Sequence, residues 1–346
     1  MMQPFSRRTL LGGAGGLALA PTLARPARAA GQVVVGAWGG DYAALLDSNI
    51  DKPIMTPLGI EVLQDIANQE PRKTKLTVER NSRRGSMDVA CLSDIDTYSM
   101  SLLNIWEPIT VENVPNLAHV PPAIRTPYSV PHIISGKVML YNPSKIPTPP
   151  KGFADMWDPK YKGRVGLVDI QYLYVIALAT LAKGGGMSDF TLGKQALLDL
   201  KKLEPKIYPS NEALAAALKS EEVWLGPMWL ARGVFWRKSG INVQAAVPSE
   251  GAIAYISSGA VPKNAPNKAN GLAYLNAMLD PRAQVGFAKN MSYAPTVDNA
   301  PVDPALMKDI GFTPEQQANM KNPDFDYFAK NTAQLLDFWN REFKAA

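Results

Sequence analysis

The sequence predicts an α/β protein of two domains, each built on a mainly parallel sheet flanked by helices. Over the first hundred residues after position 30, short β-branched runs alternate with helical patterns, which is typical of a parallel sheet covered on both faces. A chain of 346 residues is long enough for two such domains. Two extended segments, 128–140 and 252–262, interrupt the alternation and predict strands that cross between the domains.

The first predicted strand, residues 33–35, ends at the central feature of the sequence. Trp38, Gly39 and Gly40 follow this strand, and a helical pattern begins at residue 43. Ligands of open α/β sheets bind at the carboxyl ends of strands, and glycines let the backbone come close to a ligand. The rings of Trp38 and Tyr42 offer flat faces to it. The alternative interpretation is an ordinary β-to-α turn with a buried tryptophan.

The remaining elements follow in chain order. Further strands are predicted at 58–62, 87–92, 163–169, 223–229 and 243–247. Helices are predicted at 73–81, 172–181, 190–203, 212–218, 230–238, 267–279, 282–289 and 332–343, with a helical or mixed segment at 98–106. Ser210 is a predicted N-cap, and Thr313 with Gln316 forms a capping-box pattern. The last helix carries an aromatic stripe, which we interpret as packing.

The charge and the cysteine content exclude several classes of protein. Four arginines before residue 31 account for four of the five net positive charges, so the rest of the chain is nearly neutral and offers no nucleic-acid surface. Cys91 is the only cysteine, so no intrachain disulfide is expected. With two histidines in addition, we expect no zinc-type ligand cluster, no metal and no cofactor.

Residues 1–30 have the three-part layout of an export signal. The pair Arg7-Arg8 precedes an apolar, glycine-rich run, and Ala27-Arg28-Ala29 is a small-x-small cleavage pattern. The paired arginines resemble the twin-arginine variety of signal. The apolar run is too short to span a membrane. We therefore expect cleavage near Ala29 or Ala30 and a mature protein in the periplasm.

Catalytic signatures are weak. Neither His119 nor His132 stands beside a Gly-x-Ser-x-Gly pattern or a cysteine, and no Gly-x-Gly-x-x-Gly or phosphate-loop motif is present. A paired-carboxylate glycosidase stays open, because any two acids can meet in a cleft. The sequence favours a binding protein that is not an enzyme, with an exported hydrolase as the less favoured alternative.

Four segments together resemble periplasmic solute-binding proteins of ABC importers, of extracellular solute-binding family 1. They are 153–164 (FADMWDPKYKGR), 261–268 (VPKNAPNK), 273–284 (AYLNAMLDPRAQ) and 292–296 (SYAPT). The order and spacing of the set most resemble the spermidine/putrescine-binding branch, and the likeness covers most of residues 32–345.

This resemblance implies a two-lobed fold of type II with the ligand in a cleft between the lobes. Lobe 1 would comprise 31–132 plus 252–300, and lobe 2 would comprise 133–251 plus 301–346. It implies no catalysis. The expected partners are a small-molecule ligand, a membrane permease and its cytoplasmic ATPase, and the protein is expected to act as a monomer.

The resemblance also implies ligand contacts at strand ends. Those positions are occupied here by Trp38, Ser93, Asp169, Tyr172, Trp229, Tyr255 and Ser257. Asp169 corresponds to an acid that holds an amine, and Trp229 corresponds to an aromatic that sandwiches an alkyl chain. Asp169 has a second interpretation as a cap of the following helix, and Trp229 has one as part of the lobe core.

Two positions depart from the polyamine pattern. Ser257 and Tyr172 stand where the polyamine binders have acids, and a buried ammonium without a carboxylate is disfavoured. One acid with an aromatic set better suits one cationic centre, so we expect a small amine or zwitterion that is polyamine-like, betaine-like or amino-acid-like. The alternatives are a small carboxylate held by Arg232 or Arg164, and ferric iron held by Tyr172 and Tyr174.

Overall fold

The computed structural model describes residues 31–345, which form nine strands and twelve α-helices. The predicted signal peptide, 1–30, lies outside the described residues. The strands are β1 (Gly31–Ala37), β2 (Ile60–Ile66), β3 (Val89–Ser93), β4 (Val130–Tyr141), β5 (Gly166–Val168), β6 (Lys206–Tyr208), β7 (Leu225–Trp229), β8 (Gln244–Ala246) and β9 (Ile253–Ala260). The helices are α1 (Asp41–Leu46), α2 (Gln69–Glu79), α3 (Asp94–Ser101), α4 (Tyr172–Leu181), α5 (Thr191–Lys201), α6 (Asn211–Lys219), α7 (Leu230–Lys238), α8 (Lys268–Met278), α9 (Pro281–Met291), α10 (Pro304–Ile310), α11 (Pro314–Ala318) and α12 (Phe325–Phe338).

The strand pairs are parallel except where they involve one of two long strands, β4 and β9. The main sheet has the order β2-β1-β3-β9-β4-β7, and β8 pairs with β4. Strand β1 pairs in parallel with β2 and β3, and β5 pairs in parallel with β6 in a separate sheet. The antiparallel pairs all involve β4 or β9. The α/β class with helix-flanked parallel strands is thus confirmed, and the antiparallel pairs come from the two predicted crossing segments.

Strands β4 and β9 lie side by side and connect the two halves of the fold. Near its start β4 pairs with β9, with Val130 opposite Gly259. At its end it pairs with β7 and β8, with Tyr141 opposite Leu225 and Gln244. The chain therefore passes along β4 from the β1–β3 half to the β5–β7 half, as the two-lobed fold requires.

Most local predictions are confirmed by hydrogen bonds, with differences at several helix starts. Ser210 accepts a hydrogen bond from the Ala213 amide, and Thr313 forms its capping box with Gln316. Helix α2 begins at Gln69 rather than at residue 73, because Pro71 is tolerated in a first turn, where its missing N–H has no intrahelical partner. Helix α3 begins earlier than expected, and β6 and α10 were not predicted.

The aromatic stripe at the C-terminus packs in the interior, as predicted. Leu335, Trp339 and Phe343 are all at most 2% exposed. Helix α12 contacts both α3 and α4, so it bridges the two halves of the fold. Across residues 31–345, no helix has the length and apolar character needed to cross a membrane.

Candidate functional site

A cavity of about 580 Å³ lies where strands from both halves of the fold end. Its lining includes residues 38–40 after β1, 66–70 after β2, 170–174 after β5 and 210–212 after β6. A cavity of this size fits a small solute. The location at strand carboxyl ends agrees with the expectation drawn from the sequence around Trp38.

Five of the seven predicted site residues line this cavity and two do not. The lining five are Trp38, Ser93, Tyr172, Trp229 and Tyr255. Asp169 and Ser257 are absent from its lining. The structure thus brings the aromatic set together and separates it from the acid that was expected to hold the ligand.

Asp169 is bound to the C-terminal segment of the chain instead of facing the cavity. Its Oδ1 accepts hydrogen bonds from the indole nitrogen of Trp339 at 2.6 Å and from the ammonium of Lys344 at 3.0 Å. Trp339 is fully buried, so this carboxylate satisfies an interior donor. In the structure Asp169 fixes the C-terminus and lies outside the cavity lining, so its contact with a ligand stays a prediction.

Ser257 is fully buried in the sheet, opposite Ser93 in the β3–β9 register. Its hydroxyl has no hydrogen-bond partner among residues 31–345. Ser257 is thus buried and outside the cavity lining, and its contact with a ligand stays a prediction.

Trp229 reaches the cavity by its edge. Its ring stacks on Tyr255 with the centroids 4.1 Å apart at 16°, and the ammonium of Lys137 lies 4.0 Å from the same centroid. Two groups this close to one centroid must take opposite faces. Tyr174 packs edge-on against the ring at 4.8 Å. With both faces covered, Trp229 has no free ring face for an alkyl chain in this structure, and its role as a ligand contact stays a prediction.

Trp38 is held in place on several sides. Its indole nitrogen donates to Gln69 Oε1 at 3.0 Å, the guanidinium of Arg72 lies 5.3 Å from the ring centroid, and Tyr42 packs edge-on at 5.4 Å. Gln69 in turn donates to the Ile170 carbonyl in the other half of the fold. Trp38 therefore lies at the junction of the two halves, half-buried and fixed before any ligand arrives.

A carboxylate pair that the sequence analysis missed lines the cavity on the β2–β3 side. Asp96 accepts hydrogen bonds from Ser93 Oγ at 2.9 Å and from Lys73 at 2.7 Å, and Lys73 also lies 2.9 Å from Glu70. One ammonium thus serves two carboxylates. Ser93 caps α3 through the Asp96 amide, so this cap was the signal that could have placed Asp96 beside Ser93.

Arg232, in the first turn of α7, lines the side of the cavity opposite this carboxylate pair. It is 4% exposed, donates to Asp41 Oδ2 at 2.8 Å and lies 3.6 Å from Glu212. Its Nε has no partner among the described residues. Arg164, the other predicted carboxylate ligand, is absent from the cavity lining and lies over the ring of Trp224 at 4.8 Å. Of the two arginines, only Arg232 can contact a bound solute.

The tyrosines of the cavity are protonated donors. Burial raises the pKa of Tyr172, and the carboxylates of Glu70 and Asp96 raise it further. Burial also raises the pKa of Tyr174, whose hydroxyl donates to Asp94 at 3.1 Å. Phenols held in this form suit hydrogen bonding more than iron ligation. Within the part of the chain described, no three His, Cys, Asp or Glu side chains are placed to hold a metal.

Comparisons with known proteins agree with this architecture. Residues 64–314 match the family of bacterial extracellular solute-binding proteins. The spermidine/putrescine-binding periplasmic protein of Escherichia coli (strain K12) is 25% identical over 300 residues, which cover 83% of this chain and 85% of that protein. The corresponding protein of Salmonella typhimurium is 31% identical over 200 residues, covering 56% of this chain and 57% of its own length.

Solved structures share the fold at lower identity. The Atu4243 GABA receptor superposes with a TM-score of 0.78 at 22% identity, covering 89% of this chain and 96% of its own. An ABC transporter substrate-binding protein from Bradyrhizobium japonicum has a TM-score of 0.77 at 21% identity, and the match covers 91% of this chain and 100% of that one. The spermidine/putrescine ABC transporter substrate-binding protein of Streptococcus pneumoniae has a TM-score of 0.69 at 18% identity, and the match covers 89% of this chain and 98% of that one. The two-lobed fold predicted from the sequence is therefore confirmed.

Proposed function

The chain belongs to the family of bacterial extracellular solute-binding proteins and is the solute-binding component of an ABC transporter, and from this premise we propose that it captures a small amine or zwitterion. The observation that carries the choice of solute is the charge of the cavity. Three carboxylates, Glu70, Asp96 and Glu212, line it against one guanidinium, that of Arg232.

The two charged residues that form ion pairs with lining residues, Lys73 and Asp41, do not change this balance. Lys73 pairs with Glu70 and Asp96, and Asp41 pairs with Arg232. One cation and one anion are added, so the set keeps a net charge of −2. Inside a partly dry cavity this charge favours a cationic centre, because the effective dielectric constant there is far below that of water.

Aromatic rings and hydroxyls complete the proposed site. Trp38, Tyr172 and Tyr255 line the cavity, and a desolvated cation–π contact contributes roughly 0.5–2 kcal/mol for each ring. The Tyr172 hydroxyl is buried without a partner in the described residues. Because a phenol can donate to and accept from a solute, Tyr172 is the hydroxyl that we expect a bound amine or zwitterion to contact.

Capture would proceed by closure of the cleft. With lobe 1 as 31–132 plus 252–300 and lobe 2 as 133–251 plus 301–346, Trp38 and Glu70 belong to one lobe and Tyr172 and Arg232 to the other. A solute that contacts both sets stabilises the closed form in proportion to its differential affinity for that form. A membrane permease with a cytoplasmic ATPase would recognise the closed shape of this monomer in the periplasm, after removal of a twin-arginine signal.

Calorimetric titration of the chain from Gly31 onward tests the proposal against polyamines, betaines, amino acids and small carboxylates. We expect amines or zwitterions to bind, and Glu70→Gln to weaken their binding about tenfold or more, because an ammonium loses a charged acceptor. Glu61→Gln is the matched control, since Glu61 is exposed on β2 and lies outside the cavity lining. The proposed solute class would be overturned if only carboxylates bound, or if Glu70→Gln left the affinity for amines and zwitterions unchanged.

A further inference from the structure

Lys137 places a positive charge directly behind the cavity. It lies in β4, is fully buried, and its ammonium donates to Gln171 Oε1. The ammonium lies 4.0 Å from the ring centroid of Trp229 and 5.8 Å from that of Tyr174. No carboxylate within residues 31–345 forms an ion pair with it, and burial lowers the pKa of Lys137 well below its ordinary value.

A buried ammonium without a carboxylate is costly, and ring faces with one amide oxygen offset only part of that cost. The three groups that hold Lys137 are Gln171, Tyr174 and Trp229, and all of them line the cavity. The charge therefore lies one side chain away from a bound solute. At that separation in a low-dielectric interior, it acts strongly on any charged group of the solute.

The same side of the cavity presents hydrogen-bond donors. Gln171 uses its Oε1 for Lys137 and donates from Nε2 to Asn211 Oδ1 at 2.6 Å. With its oxygen engaged, Asn211 has its amide nitrogen, a donor, left for a solute. The guanidinium of Arg232 also lines the cavity, and its buried Nε has no partner among the described residues. Glu212 also lines this side and lies 3.6 Å from Arg232, whose charge offsets that of the carboxylate. The donors, with the Lys137 charge behind them, suit a carboxylate oxygen.

We infer that Lys137 is a specificity-determining residue that makes this side of the cavity favour a carboxylate and disfavour a second ammonium. The preferred solute then carries one ammonium, on the side of Glu70 and Asp96, and one carboxylate, on the side of Arg232 and Asn211. This inference rests on the proposed function and narrows its solute class from amines in general to amino-acid-like zwitterions.

The test compares two probes of equal carbon number, 1,4-diaminobutane and 4-aminobutanoate, by calorimetric titration near pH 6, where a lysine of lowered pKa is more fully protonated. The wild type should prefer the amino acid. In Lys137→Met the ratio of the two association constants should shift about tenfold toward the diamine. Longer and shorter homologues of both probes are titrated in parallel, so that chain length does not decide the outcome.

Two further variants make the test specific. Lys137→Gln removes the charge but keeps a donor for Gln171, and it should shift the ratio as Lys137→Met does. Lys183→Met is the matched control, because Lys183 also lies over a tryptophan, Trp157 at 4.9 Å, but is exposed and outside the cavity lining. Its ratio should stay at the wild-type value. Lys137→Met should also melt no lower than the wild type, since it removes an uncompensated buried charge.

The outcomes separate this inference from the proposed function. A wild type that binds amines, with a ratio unchanged in Lys137→Met and Lys137→Gln, overturns the role of Lys137 and leaves the proposed function standing. A wild type that prefers the diamine also overturns it. A wild type that binds no amine and no amino acid overturns the proposed function, and the inference fails with it.

Discussion

Asp41, the first residue of α1, and Arg232, in the first turn of α7, form an ion pair that joins the two halves of the fold. Nη1 of Arg232 lies 2.8 Å from Oδ2 of Asp41, although the two residues are 191 positions apart in the chain. Arg232 is buried, whereas about a third of the Asp41 side chain is exposed. Because the pair connects one half to the other, it holds the two halves together without requiring a solute.

We expect Asp41→Asn to weaken the binding of every solute by a similar factor, about five- to tenfold, because it removes a charge-assisted contact of the closed form. Calorimetric titration with several solutes measures this. Asp47→Asn is the control, since Asp47 pairs with Lys52 on the surface at 2.6 Å. A loss confined to one class of solute would show that Asp41 contacts the solute itself.

Gly40 combines a backbone conformation that favours glycine with a close neighbour. Its φ is 65°, and a Cβ there would lie 3.0 Å from Glu212 Oε1. Gly40→Ala should lower the free energy of unfolding by about 1–3 kcal/mol and weaken solute binding, because it strains the turn and displaces Glu212. Gly39→Ala, where φ is not positive and the nearest atom is Ile66 Cγ2 at 3.1 Å, should cost less. Urea unfolding measures the stability of both variants, and calorimetric titration measures their solute affinity. Equal losses in the two variants would contradict the special role of Gly40.

Asp169 is expected to matter for stability and not for binding. Asp169→Ala leaves the buried indole of Trp339 without its acceptor and should lower the free energy of unfolding by about 1–3 kcal/mol. Solute affinity should be unchanged. Asp337→Ala, which removes only an exposed pair with Arg341, serves as the control for urea unfolding. A weakened affinity with normal stability would restore Asp169 to the site.

Asp94 gives a prediction for the dependence of stability on pH. Burial raises its pKa to about 7, so the native state favours the protonated carboxyl. The stability that this proton contributes is present at low pH and is lost as the pH rises through about 7. Asp94→Asn stays neutral, so its melting temperature relative to the wild type should rise by a few degrees between pH 5 and pH 8.

Differential scanning calorimetry at both pH values measures this difference. Asp309→Asn, at an exposed position of α10, should keep a constant offset from the wild type. An offset that is also constant for Asp94→Asn would show that the carboxyl is ionised throughout this range.

Local signals in the sequence predicted the elements well because they act over a few residues. β-branched runs ending at glycine marked β1, and hydroxyl caps marked the start of α6 and α11. The two crossing strands could be recognised from their extended character and position. The helix α2 start was missed because Pro71 interrupts the pattern, and that error also concealed Glu70.

The candidate site was only partly predictable, because a position at a strand end does not fix where a side chain points. Asp169 directly follows β5, close to where the sequence placed the end of the strand, yet its carboxylate turns to Trp339, 170 positions away. Lys137 occupies an ordinary place in a strand, and only the neighbouring strands put its ammonium on the face of Trp229. A sequence pattern gives the alternation of a strand but not the residues stacked against it.

The sequence by itself determined the α/β class, the order of the elements, the family likeness and the placing of a site at strand ends. Short-range propensities and capping contacts suffice for these features, because each depends on neighbours in the chain. The tertiary structure decided which charges share the cavity: Glu70 with Asp96, Arg232 with Asp41, and Lys137 behind Trp229. Those pairings join residues from different strands and helices, and only tertiary packing brings them within a few ångströms.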